Sequence, residues 1–228
     1  MMQGVSLVKL ILIILVILIV GYFMVNIYRH DNSTFYKLTG YSYLDMVANK
    51  KIRTMYKIVN DLDQVKGSHK VLVDVQVPVN DELQTISGLL LHESGIYVMN
   101  LKEKSGWING REQDLEWKEL LHQEKSRAFA NPIHETKRLI YALQDQLPEV
   151  DEQAFQSVVL FTNGCSFQKI EMVSEDVEVL KVGELKKWGS SLQGKVLSET
   201  DIQTLFATLE GSMNKKSATL KVNKPVSI

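Results

Sequence analysis

Leu10 to Ile27 (LILIILVILIVGYFMVNI) is 18 residues without a charged side chain, and nothing else in the chain limits its fold as much. As a helix the run reaches roughly 27 Å, close to the hydrocarbon thickness of a bilayer. A cleaved signal peptide is the competing reading. The run exceeds a usual signal-peptide core, however, and Tyr22, Phe23 and Met24 occupy the place of a small-residue cleavage site. Tyr22 and Tyr28 suit an interfacial aromatic belt. The sequence therefore predicts a flank over residues 1–9 and an uncleaved transmembrane helix over residues 10–28.

Only Lys9 and the amino terminus precede the span, whereas Arg29, Lys37, Lys50, Lys51 and Arg53 follow it. The positive-inside rule then predicts a single-pass protein of the cell membrane with a cytoplasmic domain. Cys165 is the only cysteine, so no intrachain disulfide demands an oxidising compartment. The formal net charge of −1 excludes the strongly basic footprint of a dedicated nucleic-acid binder. One local exception is the tail from Gly211 to Ile228, where Lys215, Lys216, Lys221 and Lys224 meet no acid. We read it as a solvated terminus.

After a polar and aromatic linker over residues 29–43, apolar residues at Leu44, Ala48, Ile52, Met55, Val59 and Leu62 predict one amphipathic helix. Val71, Val73, Val75 and Val77 alternate with Leu72, Asp74 and Gln76, which is strand periodicity, and Pro78 is expected to end that strand. Thr85 to His92 and Ile96 to Lys102 read as two strands of a hairpin across Glu93-Ser94-Gly95. Its register sets Ser87 opposite Asn100 or Leu101, and alternation puts Asn100, Lys102 and Lys104 on one face.

Further on, a short strand surrounds Trp107-Ile108, and Asn131-Pro132 starts a helix whose stripe is Ile133, Ile140, Leu143 and Leu147. Ser157 to Phe161 and Val177 to Val182 read as strands. Two short helices follow, the last opened by a capping box from Ser198 to Asp201. The order predicts a mixed α/β domain around one central sheet. We place the domain at residues 44–195 and a C-terminal helix with the basic tail at 196–228.

Several ordered pieces resemble the nuclease-related domain (NERD) family of the PD-(D/E)xK nuclease-like superfamily, from roughly Met55 to Leu185. They are Ile86-Ser87-Gly88-Leu89-Leu90-Leu91, Gly95-Ile96-Tyr97-Val98-Met99-Asn100-Leu101-Lys102, Gly106-Trp107-Ile108-Asn109-Gly110, Trp117, Asn131-Pro132-Ile133-His134-Glu135 and the Val158–Phe161 strand. The resemblance implies a restriction-endonuclease-like central mixed sheet flanked by helices, preceded here by a single transmembrane helix.

It also implies a site built from an Asp and a Glu that hold a divalent cation beside a Lys. In this chain Ser87 and Asn100 stand at the two acid positions, Lys102 is retained, and Glu135 replaces a Gln. Mg²⁺ requires anionic oxygen ligands, so the expectation is a degenerate site with no cofactor and no metal. The protein is then a membrane-anchored pseudoenzyme that binds or scaffolds, with nucleic acid as the implied ligand. Two alternatives stand beside it: an active Mg²⁺-dependent nuclease in which Glu135 is a relocated acid, and a protein-interaction module with no nucleic-acid role.

Overall fold

The computed structural model describes residues 7–121 and 125–213, so the tail lysines 215–224 lie outside the described residues. The apolar run forms α1 (Leu7–Asp31). Apolar side chains stand exposed on all sides of it from Val8 to Ile27, and its apolar stretch is not buried against the rest of the chain. Such a helix can cross a membrane, because its backbone bonds close within the helix and its surface matches lipid.

Residues 29–43, expected as a linker, instead continue in packed helix. α2 (Thr34–Thr39) is capped by Ser33 and buries Phe35 and Leu38 in the main core. The single helix expected over 44–62 is two helices, α3 (Tyr43–Ala48) and α4 (Lys50–Leu62). Asn49 separates them at φ −117° and ψ 118°, its side chain accepting from the N–H groups of Lys51 and Ile52. A short amide that bonds the backbone locally favours a cap over a helix interior. Met55, Ile58, Val59 and Leu62 of α4 are buried, while Leu44 stays exposed.

β1 (His69–Val79) and β2 (Glu82–His92) join through Asn80-Asp81, both at positive φ (49° and 65°), the conformation a two-residue hairpin needs. Pro78 does not end β1 but pairs with Leu83. β1 is an edge strand, where a missing N–H costs little. β3 (Gly95–Lys102) runs antiparallel to β2 in the expected hairpin. Then follow β4 (Trp107–Arg111), β5 (Glu116–Leu120), β6 (Ser126–Ala130), α5 (Pro132–Gln144), β7 (Phe155–Phe161), β8 (Ser166–Glu171), β9 (Val177–Lys181), α6 (Leu185–Gly189) and α7 (Glu199–Glu210).

The strands make a five-stranded sheet, β1-β2-β3-β7-β9, and a separate four-stranded sheet, β6-β5-β4-β8. Both are mixed: β3, β7 and β9 run parallel in the first and β4 and β8 in the second. The strand around Trp107 therefore founds a second sheet rather than extending the central one. β5, β6 and β8 carry little apolar periodicity, since most of their side chains are exposed or half-buried, which is why the sequence did not announce them.

α4 packs on β1 and β2, α5 on β3 and β7, and α7 on β1. The capping box of α7 forms as expected, and Ile202, Leu205 and Leu209 join the core, so this helix is part of the domain. Between the sheets Trp117 and Phe161 stack at 6.2 Å over Ile108, Ile133 and Val159. Gly110 makes this possible, since a Cβ there would lie 2.2 Å from the Trp117 ring.

Candidate functional site

The β2–β3 register pairs Gly88 with Met99, which sets Ser87 opposite Asn100. The ladder stops at that point. Beyond it the Leu101 N–H donates to the Ser87 hydroxyl at 3.1 Å, so the serine closes a backbone gap where the strands part. Asn100, 8% exposed, lies in register with Val159 of β7, and Lys102 with Phe161. Parallel partners share a face, so Asn100 and Lys102 face the side where α5 and the second sheet pack.

Glu135 reaches this face from the first turn of α5. That helix starts where it does because Asn131 caps it and Pro132 fits its first turn. Lys102 Nζ donates to Glu135 Oε2 in an ion pair whose side chains are 22% and 28% exposed. The helix N-terminus favours the carboxylate further. Lys104, expected on the same face, is also paired: its Nζ lies 3.3 Å from Glu119 Oε2 and 4.1 Å from the Phe129 ring centroid. The chain thus brings Ser87, Asn100, Lys102 and Glu135 together, with both lysines neutralised.

A hard divalent cation does not fit these donors. Two positions offer a hydroxyl and an amide, and the one carboxylate already faces Lys102. Among the described residues no three His, Cys, Asp or Glu side chains cluster to hold a metal. Asp74 of β1, between Val73 and Val75 in the register, lies opposite Ser87 on the far side from Asn100. It sits at φ 48°, and burial pushes its carboxyl up, against a smaller pull from Lys51. It is one strand beyond Ser87 rather than beside Asn100. The alternation of β1 gave no sign that Asp74 would leave strand geometry.

Two further carboxylates, which the sequence did not single out, hold the second sheet to this face. Burial would raise the Glu112 carboxyl, but bonds from the Ser174 hydroxyl, the Ser174 and Val173 N–H groups (2.9 and 2.8 Å) and Lys137 (3.3 Å) outweigh it and hold the pKa at about 2. Glu119 is depressed in the same way: burial opposes, while the Ser105 N–H at 2.9 Å, Lys104 and the Gly106 N–H prevail. Asn131, 1% exposed, donates to the carbonyls of Arg111, Glu112 and Asp114 at 3.3, 2.9 and 2.6 Å. The Asn-Pro pair is therefore a clamp between the second sheet and α5.

The model of the nuclease-related domain (NERD) matches residues 49–162, half of the 228-residue chain. The chain belongs to the NERD family. The matched range carries α4, β1 to β6, α5 and β7, and so includes all four site positions. The NERD chain is also similar to an uncharacterized protein of Bacillus anthracis, 27% identical over 141 residues that cover 60% of this chain and 63% of that protein. It thus spans somewhat less than two thirds of that relative's length. No solved structure matches it. Every piece of the resemblance within the matched range has its place in the NERD fold: the Ser87 and Asn100 strands face each other, the Gly-Trp-Ile-Asn-Gly segment is β4, and Asn131-Pro132 opens α5.

Proposed function

We propose that this NERD protein is a membrane-anchored binding or scaffolding module that has given up metal-dependent cleavage, with its domain on the cytoplasmic side. The Lys102–Glu135 ion pair carries the reading. In a working two-acid site the lysine must face the attacking water and the phosphate, and the carboxylates must face the cation. Here the lysine's charge is spent on Glu135, while Ser87 and Asn100 supply neutral oxygens in place of two anions.

A relocated acid at Glu135 has one oxygen on Lys102 and offers a cation only the other, beside the lysine's positive charge, which counts against the active-nuclease alternative. The pairing of Lys104 with Glu119 and the net charge of −1 favour a protein ligand over a tightly held nucleic acid, whose binding would weaken steeply with salt.

The test is incubation of the full-length chain in detergent with linear and circular DNA and Mg²⁺ or Mn²⁺. We expect no divalent-dependent cleavage. Cleavage that disappears in both Lys102→Ala and Glu135→Gln refutes the proposal and installs the relocated-acid mechanism.

A further inference from the structure

The depth of one residue in the bilayer points to a ligand. Lys9 and Arg29 bracket the uncharged run, and twenty residues of helix set them roughly 30 Å apart, the thickness of the hydrocarbon layer. Arg29 therefore stands where hydrocarbon gives way to headgroups. Beside it, between the end of α1, α2 and the last turns of α4, opens a groove of about 200 Å³ lined by Arg29, Asn32, Thr34, Asn60 and Asp63 over Tyr56.

The groove is bipolar. Arg29 is exposed and no carboxylate pairs with it among the described residues. At the other side Asp63 caps the C-terminus of α4 and accepts the Thr34 hydroxyl at 2.9 Å, leaving its other oxygen for a cation. The carbonyl end of α4 adds partial negative charge there.

The two poles are also held in place. His30, next to Arg29 and 1% exposed, stacks on Tyr56 of α4 at 5.5 Å and meets Phe35, Tyr36 and Tyr43 edge-on. This aromatic box fixes the end of the membrane helix against α4.

We propose that the groove binds the headgroup of an aminophospholipid of the ethanolamine type. The phosphodiester anion pairs with Arg29, and the primary ammonium donates to Asp63 and Asn60. A choline headgroup has no N–H to donate, and a glycerol headgroup has no cation to offer Asp63. A groove of about 200 Å³ has room for this small headgroup. The proposal rests on the membrane-spanning reading of α1.

The test uses full-length protein in nanodiscs with equal parts phosphatidylethanolamine, phosphatidylcholine and phosphatidylglycerol, and counts by native mass spectrometry the lipids retained on release. We expect phosphatidylethanolamine to exceed phosphatidylcholine roughly tenfold, the ratio one charge-assisted hydrogen bond supplies. Asp63→Asn should erase that ratio, and Arg29→Gln should lower retention of all three, each with an unchanged circular dichroism spectrum. Equal retention, a preference for phosphatidylglycerol, or an ethanolamine preference that survives Asp63→Asn overturns the proposal. Alkaline carbonate extraction separates the two failures. A chain released from membranes sinks the spanning reading and the headgroup site with it, whereas an integrated chain without lipid preference sinks the headgroup site alone.

Discussion

Glu112 offers the sharpest quantitative test of how the second sheet is held to the site. Its carboxyl is held at about 2 against an ordinary 4.5, and it is 7% exposed. A depressed acid contributes stability that is fully present above its unfolded value and is lost as pH falls through its folded value. At 1.36 kcal/mol per pH unit the shift corresponds to about 3 kcal/mol at neutral pH. About 1 kcal/mol of that goes by pH 4 and nearly all of it by pH 2.

Glu112→Gln keeps the shape, removes the charge and turns an amide N–H₂ toward the Val173 and Ser174 donors. Thermal unfolding of the full-length protein in detergent should show the variant about 6–12 °C less stable at pH 7, given about 2–4 °C per kcal/mol for a domain of this size. The gap should close as pH falls from about 5 to 2, because protonation disarms the wild-type residue too. A variant as stable as wild type at pH 7, or a gap that persists unchanged at pH 2, refutes the reasoning.

Two further outcomes follow from packing. Gly110→Ala drives a methyl into the Trp117 ring, 2.2 Å from its nearest atom, and should cost about 1–3 kcal/mol; intrinsic tryptophan fluorescence during denaturant unfolding reads it, and an unchanged midpoint would count against the close approach. Cys165 is 2% exposed, and burial pushes its thiol up against the weaker opposing pull of Lys181. Native protein should therefore react with an aromatic disulfide reagent far more slowly than denatured protein at pH 8, and equal rates would contradict its burial.

Some of this protein was legible in the chain because the signals are local. The span from Leu10 to Ile27 needs only length and polarity, and the β2–β3 hairpin needs only alternation on either side of Glu93-Ser94-Gly95. The capping box from Ser198 to Asp201 and the Ile133, Ile140 and Leu143 stripe of α5 repeat at fixed short spacings and appear as read, while Leu147 is buried just past the helix end. Where local signals were ambiguous, they misled in a consistent way. The apolar spacing from Leu44 to Leu62 runs through Asn49 unbroken, yet Asn49 ends one helix and caps the next. Pro78 looks like a strand stop until β1 proves to be an edge strand.

The sequence by itself determined the membrane-length helix, the mixed α/β class and the neutral side chains of Ser87 and Asn100 on facing strands, since each is a property of residue type and near-neighbour spacing. Only the tertiary structure decided what the remaining charges do. Lys102 meets a glutamate 33 residues away, Glu112 meets a serine 62 residues away, and Arg29 shares a groove with Asp63 across a helix junction. No periodicity encodes such pairs. They exist because sheets and helices pack by their apolar faces, and the charged side chains at the seams take the partners that this packing leaves within reach.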